Sequence, residues 1–351
     1  FSPADRNNQS QVKAPIAFPD GTGKRNSPGQ SRKPKPTWQD LQAYADKRAR
    51  EAGITELRQF IAQDGTPSKP VPQLEPTRIF QARTDAVAIL YSDWNGRPYP
   101  NPATAQAEGA PPYFTRYRLS PWSERDGMKY WQAKGTGTHL YANALYWHFV
   151  RQGRETPTLI FCEGEMKAET LAANGIPAVA IAGISALTGQ AEAEAKAMLA
   201  DLQPANVVML YDQDATSNSG KENRARAFAN SAWKFLDLAD QMDIKGRVSI
   251  PGADLAGKGI DDVINAATPS DRKELLDALT SDKANAYFEQ YSDPRRLYAR
   301  LMATTAGPNG YNSSREPDQV VSVNQWIAEA QGTITQAVRK FGRVVLDAPT
   351  G

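Results

Sequence analysis

Two groups of carboxylates sit directly after strand-like apolar runs: Glu163 and Glu165 at the end of TLIFCEGE (Thr158 to Glu165), and Asp212 and Asp214 at the end of VVMLYDQD (Val207 to Asp214). Open α/β sheets place their ligands at the carboxyl ends of neighbouring strands, so these acids fall where a site is expected. Asp212 and Asp214 are two positions apart, a spacing that can aim both carboxylates to one side and offer oxygen ligands to a hard cation. Glu163, at the end of the neighbouring strand, can help bind a second metal or move a proton in an attack step. Gly164, followed by the start of a helix, lets a phosphate approach backbone N–H groups. Mg²⁺ or Mn²⁺ held against phosphate is the chemistry of phosphoryl or nucleotidyl transfer. A DxD alone is also what a helix cap in an exposed turn looks like, so the signal lies in the order of the two acidic groups.

The elements that must carry these acids alternate between strand and helix over 156–267. Strand Thr158 to Cys162 leads to a helix from Glu165 to Ala173, ended by Asn174-Gly175. Strand Ala178 to Ala182, a helix from Thr188 to Leu202, strand Asn206 to Tyr211 and a helix from Glu222 to Ala239 follow. Strand Arg247 to Ile250 then precedes Gly257-Lys-Gly-Ile-Asp-Asp262. Continuous apolar strands joined by helical crossovers predict an α/β fold with a mainly parallel sheet buried on both faces.

Upstream the texture differs. Residues 1–36 are rich in Pro, Ser, Gly, Asn and Gln, include Arg32-Lys33-Pro34-Lys35 and lack an apolar period, which predicts a flexible basic arm. Thr37, with Asp40 three residues on, predicts a capped helix to Arg50, followed by a short helix over Glu56 to Gln63 and a Pro-rich linker from Thr66 to Pro76. Residues 77–153 break into short β-prone runs: an apolar stretch from Arg78 to Tyr91, a hairpin turn at Asp93-Trp-Asn-Gly96, and aromatics interleaved with Arg from Pro112 to Leu119. This predicts a small β-rich basic domain. Arg116, Arg118, Arg125, Lys129 and Lys134 stand among Tyr113, Phe114, Tyr117, Tyr130 and Trp131, a mixture that serves nucleic-acid phosphates and bases, or an ordinary aromatic core. Past the sheet, 271–340 reads as helical as far as Arg300, with a Gly/Asn/Ser loop at Gly307 to Ser314; 341–351 is an apolar strand entering a turn.

The 351 residues suit two or three domains, and no apolar run approaches the length of a membrane span. The single Cys162 excludes an internal disulfide framework and any multi-cysteine zinc site. Residues 1–154 carry 22 Lys and Arg against 13 Asp and Glu, while 155–351 carry 19 against 26. A basic front half beside an acidic centre suits a polyanionic partner, and fits equally a basic tail with a solvated surface. The start at Phe1 and the end inside a motif read as a fragment of a longer, cytoplasmic protein.

The order of CEGEMKA (Cys162 to Ala168), AVAIAGISA (Ala178 to Ala186), YDQDA (Tyr211 to Ala215) and GKGIDD (Gly257 to Asp262) resembles the Toprim domain shared by bacterial-type primases, type IA and II topoisomerases and some nucleases. The resemblance implies that Glu163 is the acid/base or metal-site glutamate, that Asp212 and Asp214 are the metal-binding pair, and that Asp261, with Asp262, matches the later acidic position of primases. Lys129-Tyr-Trp-Gln132 followed by His139-Leu-Tyr141 is similar to the basic segment before the Toprim domain of bacterial replicative primases, with Gln132 in place of the usual Asn and a shorter spacing. Lys129 and Lys134 would then contact template or nucleotide phosphates, with Arg116, Arg118, Lys167 and Lys258 as further candidates. His139 reads better as a structural turn residue than as a catalytic one.

The layout resembles the primase half of cyanobacterial plasmid and phage primase-helicase replication proteins. In that resemblance VVLDAPTG is the start of a helicase P-loop, whose phosphate-binding Lys lies beyond Gly351. It implies a primase using two Mg²⁺ or Mn²⁺ ions, single-stranded DNA as template, nucleoside triphosphates as substrates and a helicase domain on the carboxyl-terminal side, with no membrane partner. One Cys and two His cannot build the zinc module that bacterial primases carry at their amino terminus. A Toprim nuclease and a non-catalytic nucleic-acid-binding module remain open on the same residues. A topoisomerase fits less well, since no Tyr is marked as a nucleophile.

Overall fold

The structure is a computed structural model that describes residues 36–79, 84–124, 127–216, 223–281 and 285–292, without the side chains of 216 and 223–226. Arg125, the arm expected over 1–36 apart from its last residue, and the expected helical run from 293, loop at Gly307 to Ser314 and VVLDAPTG strand lie outside the described residues. The elements below all lie in the compact unit Trp38–Gly351.

The first layer is antiparallel. Helix α1 (Trp38–Glu51) precedes β1 (Glu75–Ile79), β2 (Thr84–Leu90), the short α2 (Ala103–Ala107), β3 (Thr115–Leu119) and β4 (Tyr130–Gln132), and the four strands pair in the order β1-β2-β3-β4. The apolar stretch from Arg78 to Tyr91 is thus two arms of a hairpin, with Ile79 opposite Thr84. The turn at Asp93-Trp-Asn-Gly96 is as expected: Gly96 has φ +79° and the Asp93 N–H donates to the Arg97 carbonyl at 2.9 Å.

The helix expected over Glu56 to Gln63 does not form. Arg58 and Val71 exchange backbone hydrogen bonds of 2.8 Å each way, and a second bridge joins Ile61 to Pro67. The cause is burial at period two: Arg58 and Phe60 point inward while Leu57 stays 56% exposed, a pattern that a helix would scatter around its circumference. The Pro-rich segment after it supplies the other side of these bridges.

Helix α3 (Asn143–Gln152) leads into the second layer: β5 (Thr158–Glu163), α4 (Glu165–Ala173), β6 (Ala178–Ile181), α5 (Gln190–Leu202), β7 (Asn206–Leu210), a 3-10 turn (Gln213–Thr216), α6 (Asn223–Gln241), β8 (Lys245–Pro251), α7 (Ile260–Ala266), α8 (Pro269–Thr280) and β9 (Phe288–Tyr291). The order is β6-β5-β7-β8-β9, parallel except where β9 runs against β8. Residues 288–291 therefore correct the expectation of helix throughout this stretch. Only Phe288 of this edge strand is buried and the next three residues are half-buried, so the four-residue run carries no alternation that would mark it as a strand.

Alternation along the parallel strands separates two cores. Leu159, Phe161, Val207 and Met209 pack with α5 and α6, whereas Ile160, Cys162, Val208 and Leu210 pack with α4, α7 and α8. The second core continues into the antiparallel layer through Val87, Ile89, Tyr91 and Phe114. The expected α/β architecture, a mainly parallel sheet with flanking helices preceded by a small β-rich layer, is what the chain adopts.

Candidate active site

The carboxyl ends of β5 and β7 open onto a cleft of about 340 Å³. The parallel-sheet side contributes Glu163, Asp212, Asp261 and Asp262 with Lys167 and Lys258; the antiparallel side contributes Arg48 from α1, Arg116 and Arg118 from β3, and Lys129 and Tyr130 at β4. Glu163 is the last residue of β5, and Gly164 at φ +101° turns the chain so that α4 begins at the next residue. That conformation suits glycine and would strain any residue with a Cβ.

Asp212 and Asp214 diverge. Asp212 lies two residues past the end of β7 at Leu210 and lines the cleft; at Gln213 the backbone winds into the 3-10 turn, so the two acids do not share the alternation of a strand. Asp212 Oδ1 accepts from Lys167 Nζ at 2.6 Å, and Lys167 also donates to the Glu163 carbonyl at 3.0 Å. Asp214 Oδ2 pairs with Lys258 Nζ at 2.8 Å, and Lys258 lines the cleft. Asp261 lies in the first turn of α7. Burial raises its pKa, and Asp262 and Asp212 push the same way against the opposing pull of Lys167. Burial works against the Lys167 ammonium, but Asp212 and Asp261 outweigh it and its pKa is raised.

Gly259 makes this crowding possible. A Cβ there would lie 2.4 Å from Lys167 Cε, 2.6 Å from Asp261 Oδ1 and 3.3 Å from Asp212 Oδ1. The amino end of α7 thus closes directly over the lysine. Among the described residues no three His, Cys, Asp or Glu side chains are gathered as a ready metal cage. The donor set is nevertheless all carboxylate oxygen, as a hard divalent ion requires, and two lysine ammonium groups already stand on it as cations. By donor chemistry the residues fit such an ion.

The arginines divide by partner. Arg116 is committed to the protein: its Nη1 donates to Glu165 Oε1 at 2.9 Å, the buried Tyr91 hydroxyl donates to the same oxygen at 2.5 Å, and the Tyr130 ring lies under the guanidinium at 4.0 Å. Glu165 is fully buried, so this contact clamps the antiparallel layer onto the first turn of α4. Arg118 donates to the hydroxyls of Tyr44 at 3.0 Å and Tyr130 at 2.8 Å, neutral partners that orient its charge without cancelling it. Lys129 is exposed at the cleft, while Lys134 is exposed but outside its lining. His139 is structural: its Nδ1 lies 2.6 Å from Glu194 Oε1 and its ring stacks on Tyr99 at 4.5 Å.

Sequence reasoning did not find Arg48, or the clamping role of Glu165. The first sits in a helix whose charges look like a solvated face, and only the docking of Tyr44 against Arg118 turns that face to the cleft. The second reads from sequence as one more acid beside Glu163.

A family model described as a domain of unknown function, DUF3854, matches residues 146–270. No curated protein matches the sequence. Among solved structures, the chain is similar to the zinc-binding and RNA polymerase domains of the Aquifex aeolicus primase, at 14% identity over 74% of this chain and 52% of that one, with a TM-score of 0.37. It is also similar to a DNA primase domain from Pseudomonas aeruginosa, at 17% identity over 67% and 62% with a TM-score of 0.39, and to the E. coli primase catalytic core, at 18% identity over 86% and 78% with a TM-score of 0.36. The chain therefore spans about half the length of the first of these and under two thirds of the second.

Proposed function

We propose that this chain is the catalytic region of a metal-dependent DNA primase of the Toprim type, a nucleotidyltransferase that makes short primers on single-stranded DNA within a plasmid or phage primase-helicase. The observation that carries the reading is that one cleft is lined by Glu163, Asp212 and Asp261 together with Arg118, Lys129 and Arg48. Acids that can hold a divalent ion, opposed by cations that can hold phosphates, are what nucleotidyl transfer needs.

In this reading Arg118, Arg48 and Lys129 bind the triphosphate and the template backbone, and Arg118 is set for the task by its two tyrosine partners. Asp212 and Asp261 in the cleft, joined by Asp214 once Lys258 moves off it, would hold a divalent ion, Mg²⁺ or Mn²⁺, which would supply a lowered pKa for the attacking 3′-hydroxyl and charge neutralisation for the departing pyrophosphate. Glu163, at the end of β5 in the same cleft, accepts the hydroxyl proton. The hydroxyl oxygen forms a bond to the α-phosphorus as the bond to pyrophosphate breaks. A helicase domain on the carboxyl-terminal side completes the proposed protein.

The test incubates the chain with single-stranded DNA, Mg²⁺ or Mn²⁺ and labelled nucleoside triphosphates, with Asp212→Asn alongside. The native chain is expected to make short labelled strands; the variant should lose at least a hundredfold in rate while its DNA affinity stays within about threefold. Shortened template without synthesis would move the assignment to a nuclease. Binding with neither activity would leave a loading module.

A further inference from the structure

The two lysines on the acids are not equivalent. The Lys167–Asp212 pair is deep, with side chains 16% and 13% exposed, whereas in the Lys258–Asp214 pair they are 55% and 30% exposed. An exposed pair is weak and exchanges readily with solvent ions; separating a buried pair leaves a charge without compensation. Lys167 is also held by a second bond, to the Glu163 carbonyl at 3.0 Å, and by the backbone of Gly259 packed against its Cε. Its place in α4 explains the reach. It is the third residue of a helix that starts just past β5, and side chains there lean back toward the helix amino terminus, hence toward the strand ends. Its ammonium is therefore fixed among the ends of β5 and β7 and the start of α7, facing Asp212 and Asp261, where an added cation would otherwise have to neutralise those acids.

We infer that Lys167 is a protein-supplied cation standing in for one of two divalent ions, so that the site takes a single divalent ion, admitted in exchange for the exposed Lys258 on Asp214. This rests on the metal-dependent reading above and replaces the expected two ions by one ion and one ammonium. Of the three ammonium donors, two are used on Asp212 and Glu163, and the third is available to a substrate phosphate oxygen. Lys167 is thereby a positioning residue of the acidic cluster and Lys258 a displaceable counterion.

The experiment is a Mn²⁺ titration of the full chain without nucleotide or DNA, read by electron paramagnetic resonance of the free ion and by calorimetry. The native chain is expected to bind one Mn²⁺. Lys167→Met, and Lys167→Gln as a second variant in case Met disturbs packing, should bind two, with far-ultraviolet circular dichroism unchanged. Lys258→Ala should still bind one, at least fivefold more tightly. Two ions on the native chain, or one or none on both folded Lys167 variants, would overturn the inference while leaving the primase reading standing. No ion on the native chain would instead remove the metal-dependent reading itself.

Discussion

Glu169 on α4 is 1% exposed and holds the most enclosed ion pair among the described residues: its Oε2 accepts from Arg58 Nη2 at 2.6 Å and its Oε1 from the Tyr141 hydroxyl at 2.8 Å. Gln73 closes the network by donating to Tyr141 at 2.5 Å, and the Arg58 guanidinium lies 4.8 Å from the Trp147 ring centroid. The network is not fully satisfied, since Arg58 Nε and Nη1 are buried without hydrogen-bond partners. Removing one charge from such a pair leaves the other buried and uncompensated, whereas replacing both by apolar groups removes the desolvation cost as well. Glu169→Gln is therefore expected to lower stability by about 3–5 kcal/mol, and Arg58→Met combined with Glu169→Leu to lose clearly less. Urea unfolding of the three proteins checks this; a double variant weaker than the single one would show that the pair contributes net stability. At this scale the sequence disclosed chemistry but not partners. Glu163 and Asp212 were legible because each ends an apolar strand. Arg58 was not, because its partner is 111 residues away.

At the scale of elements, the parallel sheet was legible almost to the residue. The helix expected from Glu165 to Ala173 has those ends, and the strands differ by a residue or two. Buried parallel strands are continuously apolar and bounded by turn residues, so nothing competes with the local signal. The segment at Glu56 to Gln63 and strand β9 failed for the opposite reason: each is fixed by a distant pairing, to Val71 in one case and to β8 in the other. Helix α3 lies inside the stretch expected to be β-rich and carries a titratable group of its own. His148 is 6% exposed with its Nδ1 unpartnered, and burial lowers its pKa below 6.5, against a backbone hydrogen bond at Glu155. A depressed folded pKa means that the unfolded chain takes up the proton first. This part of the stability is present above the unfolded value of 6.5 and is lost as pH falls through the folded value. The melting temperature of the native chain should consequently drop further between pH 7 and pH 5 than that of His148→Leu; parallel drops in both proteins would remove the histidine from the acid response.

At the scale of the molecule, the question is whether the antiparallel layer and the parallel sheet are separate bodies joined at a cleft or one body that contains it. The cleft needs both: its acids come from the ends of β5 and β7 and from α7, and its cations, besides Lys167 and Lys258 on the same side, come from α1, β3 and the start of β4. Three kinds of contact hold the layers together. One buried core runs from Val87, Ile89 and Phe114 through Tyr91 and Tyr141 to Ile160, Cys162 and Leu171, with the Tyr91 and Tyr141 rings edge to face at 5.0 Å. The buried carboxylate of Glu165 takes Arg116 and Tyr91 from the other layer. The Tyr141 backbone exchanges hydrogen bonds of 2.8 and 2.9 Å with Ala180 in β6. Elements that share a core cannot lose it one at a time without exposing apolar surface on the part that remains, so cooperativity follows from the packing. Urea unfolding should give one transition with the same midpoint by tryptophan fluorescence of a protein with Trp94, Trp147, Trp233 and Trp326 changed to Phe, which leaves Trp38, Trp122 and Trp131 on the antiparallel side, and by far-ultraviolet circular dichroism, which is dominated by the helices around the parallel sheet. Arg116→Met should move both midpoints down together, because the clamp on Glu165 belongs to neither layer alone. If fluorescence fell first while the helical signal persisted, the layers would be independent bodies, and the cleft would have to be assembled by substrate rather than built into the fold.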